Sequence, residues 1–208
     1  MFKFYGLDLV QSNQQVVGDC PFCQKENHFF ANPGTGLWDC KVCGAKGNNY
    51  EFIRQFHQFC LDGTTEADYK SLSEVRSGIS VPTLRSHKLA YNPLLDEWLL
   101  PSYNLKGNMS NLYAWKQQST LDGPVMTVMS GPVFKQIMYG LQHYRKDRSR
   151  PLWVLEGHWD LLAFYDALLY ADQLNEHDFM AVPGAQTFPE EDVPLMSMRD
   201  VRLIYDKD

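Results

Sequence analysis

What the chain lacks narrows it first. It has no unbroken apolar run long enough to span a bilayer. Its first eight residues, Met1 to Asp8, carry neither the apolar core of a signal peptide nor the Arg- and Ser-rich, acid-poor character of a transit peptide. No membrane partner is expected, and the default setting is cytoplasmic, in a cell or an infected host. No internal repeat or low-complexity tract is present. A phosphate-binding loop of the Gly-x-x-x-x-Gly-Lys type is also missing, so ATP-driven unwinding does not belong to this stretch. Positive charge is in deficit: 19 Lys and Arg against 25 Asp and Glu, a formal net charge of −6. That counts mildly against nucleic acid as a partner. It does not exclude it, because carboxylates that hold cations carry part of the acidity and the bound ions reverse the local sign.

Cysteine is scarce, with five residues in 208, yet four of them fall into two Cys-x-x-Cys pairs. Cys20-Pro-Phe-Cys23 and Cys40-Lys-Val-Cys43 are separated by sixteen residues. In a reducing compartment this pairing favours metal over disulfides. Each pair suits a tight knuckle, and the interval suits a hairpin that joins them in a closed Cys₄ site holding one structural zinc. Gly44 and Gly47 follow as turn formers. The alternative, a redox dithiol, needs only one such pair. Cys60 lies in an apolar segment and reads as a buried small side chain. Trp38, Lys41, His28, Phe29 and Phe30 are candidate contacts to unpaired bases and phosphates. The aromatics among them have an equally ordinary reading, as packing over the knuckles.

Asn48 and Asn49 are positioned to cap a helix through about Leu61, with Tyr50, Ile53, Phe56 and Phe59 or Cys60 on one side. Residues 62–80 read as a linker with a short helix. A Ser80 cap and an early proline open a short helix at residue 81. Strands are expected at 97–103, 111–117 and 125–129, and a short helix at 134–141. Residues 143–150 form a basic loop containing Arg145 and Lys146, either a nucleic-acid contact or a solvated loop. An α/β rhythm follows: a strand at 152–155, a helix from about 159 to 171, a strand at 179–182, a segment at 189–198 whose helicity Pro194 weakens, and a strand at 201–205. Short apolar strands alternating with helices imply a parallel sheet covered on both faces. The fold class is therefore α/β, preceded by a small β ribbon and a short α+β segment. The division runs 1–61 for ribbon and following helix, 62–80 for linker, 81–150 for an intermediate segment and 151–208 for the parallel-sheet domain.

Ligands of open parallel sheets bind at the carboxyl ends of the strands. Glu156 follows the first strand of this sheet, and Asp206 and Asp208 follow the last. Asp160 lies in the first turn of the intervening helix. Carboxylates gathered there require a cation, and hard oxygen donors select Mg²⁺ or Mn²⁺.

These residues resemble a known family. Leu155-Glu156-Gly157-His-Trp-Asp160 is similar to the Glu-Gly-x-x-Asp motif of Toprim domains, and Tyr205-Asp206-Lys-Asp208 to their Asp-x-Asp motif. Cys20-Pro-Phe-Cys23 through Cys40-x-x-Cys43-Gly44 resembles the zinc-binding domain of bacterial and phage primases. The segments 98–107 and 111–116 are similar to the strand pair that precedes the Toprim domain in those enzymes. The resemblance implies a DNA primase, or the primase part of a phage primase-helicase, that makes short RNA primers on a single-stranded DNA template from nucleoside triphosphates. Glu156, Asp206 and Asp208 would then ligate catalytic metal, with Asp160 in support. Lys116 would meet template or triphosphate, and a replicative helicase would act in cis or in trans. A Toprim domain continues past its Asp-x-Asp motif with a further helix and strand, so the chain is expected to be part of a longer protein. The competing readings are a non-catalytic zinc-ribbon/Toprim binding module and a Toprim nuclease.

Overall fold

The structure, a computed structural model, describes residues 1–116, 125–127, 137–145, 147–184 and 188–205. Two compact units make it up. One comprises Met1–Thr64, Leu89–Leu100 and Leu112–Val133, the other Thr65–Lys88, Pro101–Asn111 and Phe134–Asp208.

In the first unit, β1 (Leu9–Ser12), β2 (Gln15–Gly18), β3 (Phe29–Ala31), β4 (Trp38–Cys40) and β5 (Lys46–Gly47) form an antiparallel meander in chain order. Helix α1 (Asn49–Gly63) follows. Its Asn48 side chain accepts from the Tyr50 and Glu51 backbone N–H groups, and Glu51 reaches back to the Asn48 N–H at 2.8 Å. That reciprocal capping box satisfies donors left over by the first turn. Gly47 belongs to the same device, because a Cβ there would come within 2.6 Å of the Glu51 Cβ. It serves close approach and not, as expected, a turn.

The buried side of α1 holds the expected Ile53, Phe56 and Cys60 but is centred on Phe52 and leaves Tyr50 out. Phe52, Ile53, Phe56, His57 and Cys60 are buried, whereas Tyr50 is 42% exposed. Phe52 decides this. Its ring meets Phe2 at 4.8 Å, Phe56 at 5.4 Å, Trp38 at 5.6 Å and Phe29 at 6.0 Å. The ribbon is small, and clustered rings supply much of its apolar burial. Strands β6 (Ala90–Asn92), β7 (Glu97–Tyr103), β8 (Met109–Lys116) and β9 (Val125–Thr127) form a second sheet in that order. The tip of its central hairpin counts with the second unit.

In the second unit, α2 (Glu66–Val75) opens on a Thr65–Asp68 capping box, and α3 (Val81–Ser86) opens on Ser80 with Pro82 in its first turn. The parallel sheet follows: β10 (Leu152–Leu155), α4 (His158–Tyr170), β11 (Asp178–Ala181) and β12 (Val201–Ile204), in the order β11-β10-β12. Period-two alternation divides its residues between two cores. Leu152, Val154, Met180 and Val182 pack with Ile137, Met138, Leu195 and Met196 on one face. Leu155, Phe179 and Ala181 pack with Leu161 and Leu168 of α4 on the other. β10 and β11 are covered on both faces, whereas β12 is not, with Leu203 65% and Ile204 39% exposed. The second connection is a 3-10 segment, Glu190–Met196, with Pro194 inside it. Proline removes a backbone donor and disfavours a regular α-helix there. The helix expected at 134–141 is not seen over 137–141. Instead Tyr139 exchanges both backbone hydrogen bonds with Ala181 at 2.8 and 2.9 Å, along the free side of β11. Residues 134–136 lie outside the described residues. Among the described residues no helix is long and apolar enough to cross a membrane.

Candidate functional site

The first site is built by the ribbon. Each knuckle places the residue after its second cysteine in the left-handed region, Gln24 at φ 59° and Gly44 at φ 74°. The chain thereby folds back, with Gln24 N–H bonded to the Cys20 carbonyl at 2.8 Å and Gly44 N–H to the Cys40 carbonyl at 3.1 Å. Pairing of Phe29 with Cys40 across β3 and β4 helps bring the second knuckle to the first. The four thiol sulfurs lie within 4.8 Å of one another. Cys20 and Cys43 are 3.9 Å apart and Cys23 and Cys40 are 3.7 Å apart. A tetrahedron with metal–sulfur bonds of ~2.3 Å has edges of ~3.8 Å, so this donor set fits one zinc with no open position. Burial raises the Cys40 thiol, but the Cys43 and Val42 backbone N–H groups outweigh it and bring Cys40 down to about 7. Burial raises the Cys20 and Cys43 thiols in the same site, so metal binding must displace their protons.

Of the ribbon's candidate nucleic-acid contacts, Trp38 is 3% exposed. It stacks on Phe29 at 5.5 Å, and its indole N–H donates to the Asn48 carbonyl at 2.8 Å. Its ring is committed to the core, which corrects the reading of Trp38 as a base-stacking platform. Phe29 is likewise fully buried. Phe30 points the other way, half-buried, with the Lys41 ammonium 5.8 Å from its ring centre. Lys41 also pairs with Asp39. A groove of about 700 Å³ is lined by Gln15, Phe30, Asp39, Lys46 and Glu51 and by an edge of Trp38. His28 is exposed beside it in sequence.

Lys116 ends β8, exposed, with its ammonium donating to the Leu95 carbonyl at 2.5 Å. Near it, burial pushes the Glu97 carboxyl up, while the Asn92 amide and the Lys116 charge offset part of that.

The second site is the carboxyl edge of the parallel sheet. Leu155 lies opposite both Ala181 and Ile204, so Glu156 and Tyr205 leave the sheet at one rim. Burial and the Glu156 charge together raise the Tyr205 phenol. Gly157 is the N-cap of α4, and Asp160 occupies its first turn, where the helix dipole favours negative charge. Asp206 and Asp208 lie outside the described residues.

One residue here escaped the sequence reading. Arg76, just past α2, holds its guanidinium 4.3 Å from the Trp159 ring centre. Burial lowers the Arg76 pKa and the Asp160 charge raises it. A fixed cation therefore stands beside the first turn of α4. An Arg in a Ser- and charge-rich stretch offers no sequence signal for that position.

Arg145 goes elsewhere. The loop that holds it leads into the amino end of β10, where the Arg145 N–H bonds Asp178, the first residue of β11, at 3.3 Å. Five residues of extended chain, at ~3.3 Å each, separate Pro151 from Glu156 by ~16 Å. Arg145 is thus at the rim opposite Glu156, which argues against contact with a triphosphate there. Lys146 lies outside the described residues.

No protein-family model matches the sequence, and no curated protein does. Solved structures do resemble it. The DnaG primase catalytic domain bound to single-stranded DNA is 14% identical, with a TM-score of 0.57 over 76% of this chain and 63% of that one. The DnaG catalytic core is 15% identical and the E. coli primase catalytic core 14% identical, each with a TM-score of 0.56 over 76% of this chain and 62% of theirs. The chain thus shares the fold of primase catalytic cores and spans under two thirds of their length.

Proposed function

We propose that this chain is the priming part of a replication protein, a DNA primase that joins ribonucleotides on a single-stranded DNA template. The observation that carries the reading is the register of Leu155 against Ile204, which sends Glu156 and the chain leading to Asp206 from the same rim of a sheet with the primase-core fold. Glu156, Asp206 and Asp208 would hold Mg²⁺ or Mn²⁺, which when bound neutralises phosphate oxygens and favours attack by a 3′-hydroxyl. Asp160, drawn toward Arg76, orients the Glu-Gly turn and is a positioning residue.

In this reading residues 1–61 are a zinc-stapled template reader, with Phe30 and Lys41 on the outer face as its contacts. Residues 62–80 are the linker, 81–150 the amino-terminal part of the polymerase core with Lys116 toward template or triphosphate, and 151–208 the Toprim domain. Nucleoside triphosphates are the substrates, the replicative helicase is the partner in cis or in trans, and the setting is the cytoplasm of a bacterium or phage-infected host.

The test supplies single-stranded template, the four ribonucleoside triphosphates and Mn²⁺ or Mg²⁺ to the full-length protein. Short RNA products that vanish in Glu156→Gln support priming. Template cleavage would replace it with a nuclease, and binding without either product with a non-catalytic module.

A further inference from the structure

Residues 144, 145 and 147–150 are arranged around a buried cation. Arg199, its side chain fully buried, donates to the carbonyls of Arg145 at 3.2 Å, Asp147 at 3.0 Å and Arg150 at 3.0 Å, and to the Asp178 carboxylate at 2.7 Å. Tyr144 lies under the same guanidinium, 5.2 Å from it, and bonds the Leu195 carbonyl. With three of its carbonyls turned inward, the loop turns arginines outward. Arg145 and Arg148 are exposed. Arg145 forks onto the Asn175 amide oxygen at 3.0 and 3.1 Å, and Arg148 reaches the Met198 sulfur at 3.5 Å. Both acceptors are neutral, and among the described residues neither arginine is in an ion pair. Arg150 pairs with Asp147. Two uncompensated guanidinium groups on a braced loop stand out in a chain of net charge −6.

We infer that this loop is a second nucleic-acid contact, taking the sugar-phosphate backbone at the amino rim of the parallel sheet, away from the reacting site. The inference rests on the priming reading for its choice of partner. A planar guanidinium fork suits phosphate oxygens, and a loop already ordered by Arg199 loses little freedom on binding. Separation from Glu156 by the length of a strand makes the ligand a strand extending past the site, and not the incoming nucleotide.

The test measures binding of a labelled single-stranded DNA of about 20 nucleotides by the full-length protein, without nucleotides or Mg²⁺, so that it does not depend on synthesis. Arg145→Gln combined with Arg148→Gln is expected to weaken binding on the order of tenfold and to flatten the slope of log affinity on log salt by about 1.4 for two lost phosphate contacts. An unaltered melting temperature shows that the variant folds, and Arg145→Lys with Arg148→Lys, which keeps the charge, recovers most of the affinity. Unchanged DNA affinity and salt slope in the Gln variant would overturn the inference, leaving the loop to an acidic protein partner. Weakened binding of Mg²⁺–nucleoside triphosphate with DNA binding intact would overturn it too. If no RNA is ever made yet the DNA affinity falls, the priming reading fails and the loop contact stands.

Discussion

His87 and His143 meet Nε2 to Nε2 at 2.9 Å in the second unit. The other nitrogen of His87, Nδ1, faces the Thr83 carbonyl at 2.9 Å and must carry a proton to donate to it. Neutral His87 therefore offers a bare Nε2, and His143 must donate from its own Nε2. Tyr165 packs against both rings, 4.5 and 5.1 Å away, so a second proton on either ring would be poorly solvated.

Acid should therefore weaken this unit. Burial drives His87 down to about 4, partly offset by the Thr83 carbonyl, and burial with the His87 and Arg145 charges drives His143 down to about 3. Both folded-state values lie below the ordinary ~6.5. The stability from keeping the pair neutral is present above that value and is lost as pH falls from it toward about 4 and about 3. Melting temperature followed by circular dichroism should drop steeply across that window. In His87→Phe/His143→Phe the drop should be shallower, with His158, driven to about 3 by burial, still contributing. Equal pH slopes in both proteins would dismiss the pair.

Stripping the metal should unfold the ribbon. Four cysteines closed on one ion tie the two knuckles together, so metal-binding energy is folding energy here. A chelator should release one zinc per chain, read by a colorimetric dye, with loss of the Trp38 fluorescence signature. Cys43→Ser should lower zinc affinity even though Cys43 is exposed.

Trp38→Ala should destabilise the first unit by ~3–5 kcal/mol, the range for deleting a buried aromatic, as measured by urea unfolding. Phe30→Ala should cost less than Trp38→Ala, because that ring is only partly buried. It should weaken template binding instead. The reverse pattern would mean that Trp38 is the stacking platform.

Arg199→Met should cost ~3–5 kcal/mol, because it leaves the Asp178 carboxylate buried without its cation. Pairing it with Asp178→Asn should recover part of the loss in a double-mutant cycle. Additive losses would show that the two side chains act apart.

Arg76→Met removes the cation beside Asp160 and the stack on Trp159, worth ~1 kcal/mol in stability. RNA synthesis should fall by more than that implies, and Asp160→Asn should add little to the Arg76 variant, because both would disturb the same turn.

Much of this was readable from local chemistry. Two Cys-x-x-Cys pairs at this spacing can close on one tetrahedral ion whatever surrounds them, and an Asn48–Glu51 capping box depends on four consecutive residues. The apolar run 152–155 followed by Glu-Gly and a helical pattern marks a buried parallel strand with an acid at its carboxyl end, since the backbone direction is set once the strand is. Tertiary structure decided what depends on distant partners. Phe52 became the centre of the ribbon core, and Tyr50 did not, because Phe2 and Tyr5, some fifty residues away, supply rings on that side. Gln24 took a left-handed turn that favours glycine because metal-site closure demands it. Arg76, Arg199 and the His87–His143 pair look in sequence like any surface charges. Only packing that removes water from them turns them into a braced cation, a loop anchor and an acid-labile contact, because desolvation is a property of the neighbours and not of the residue.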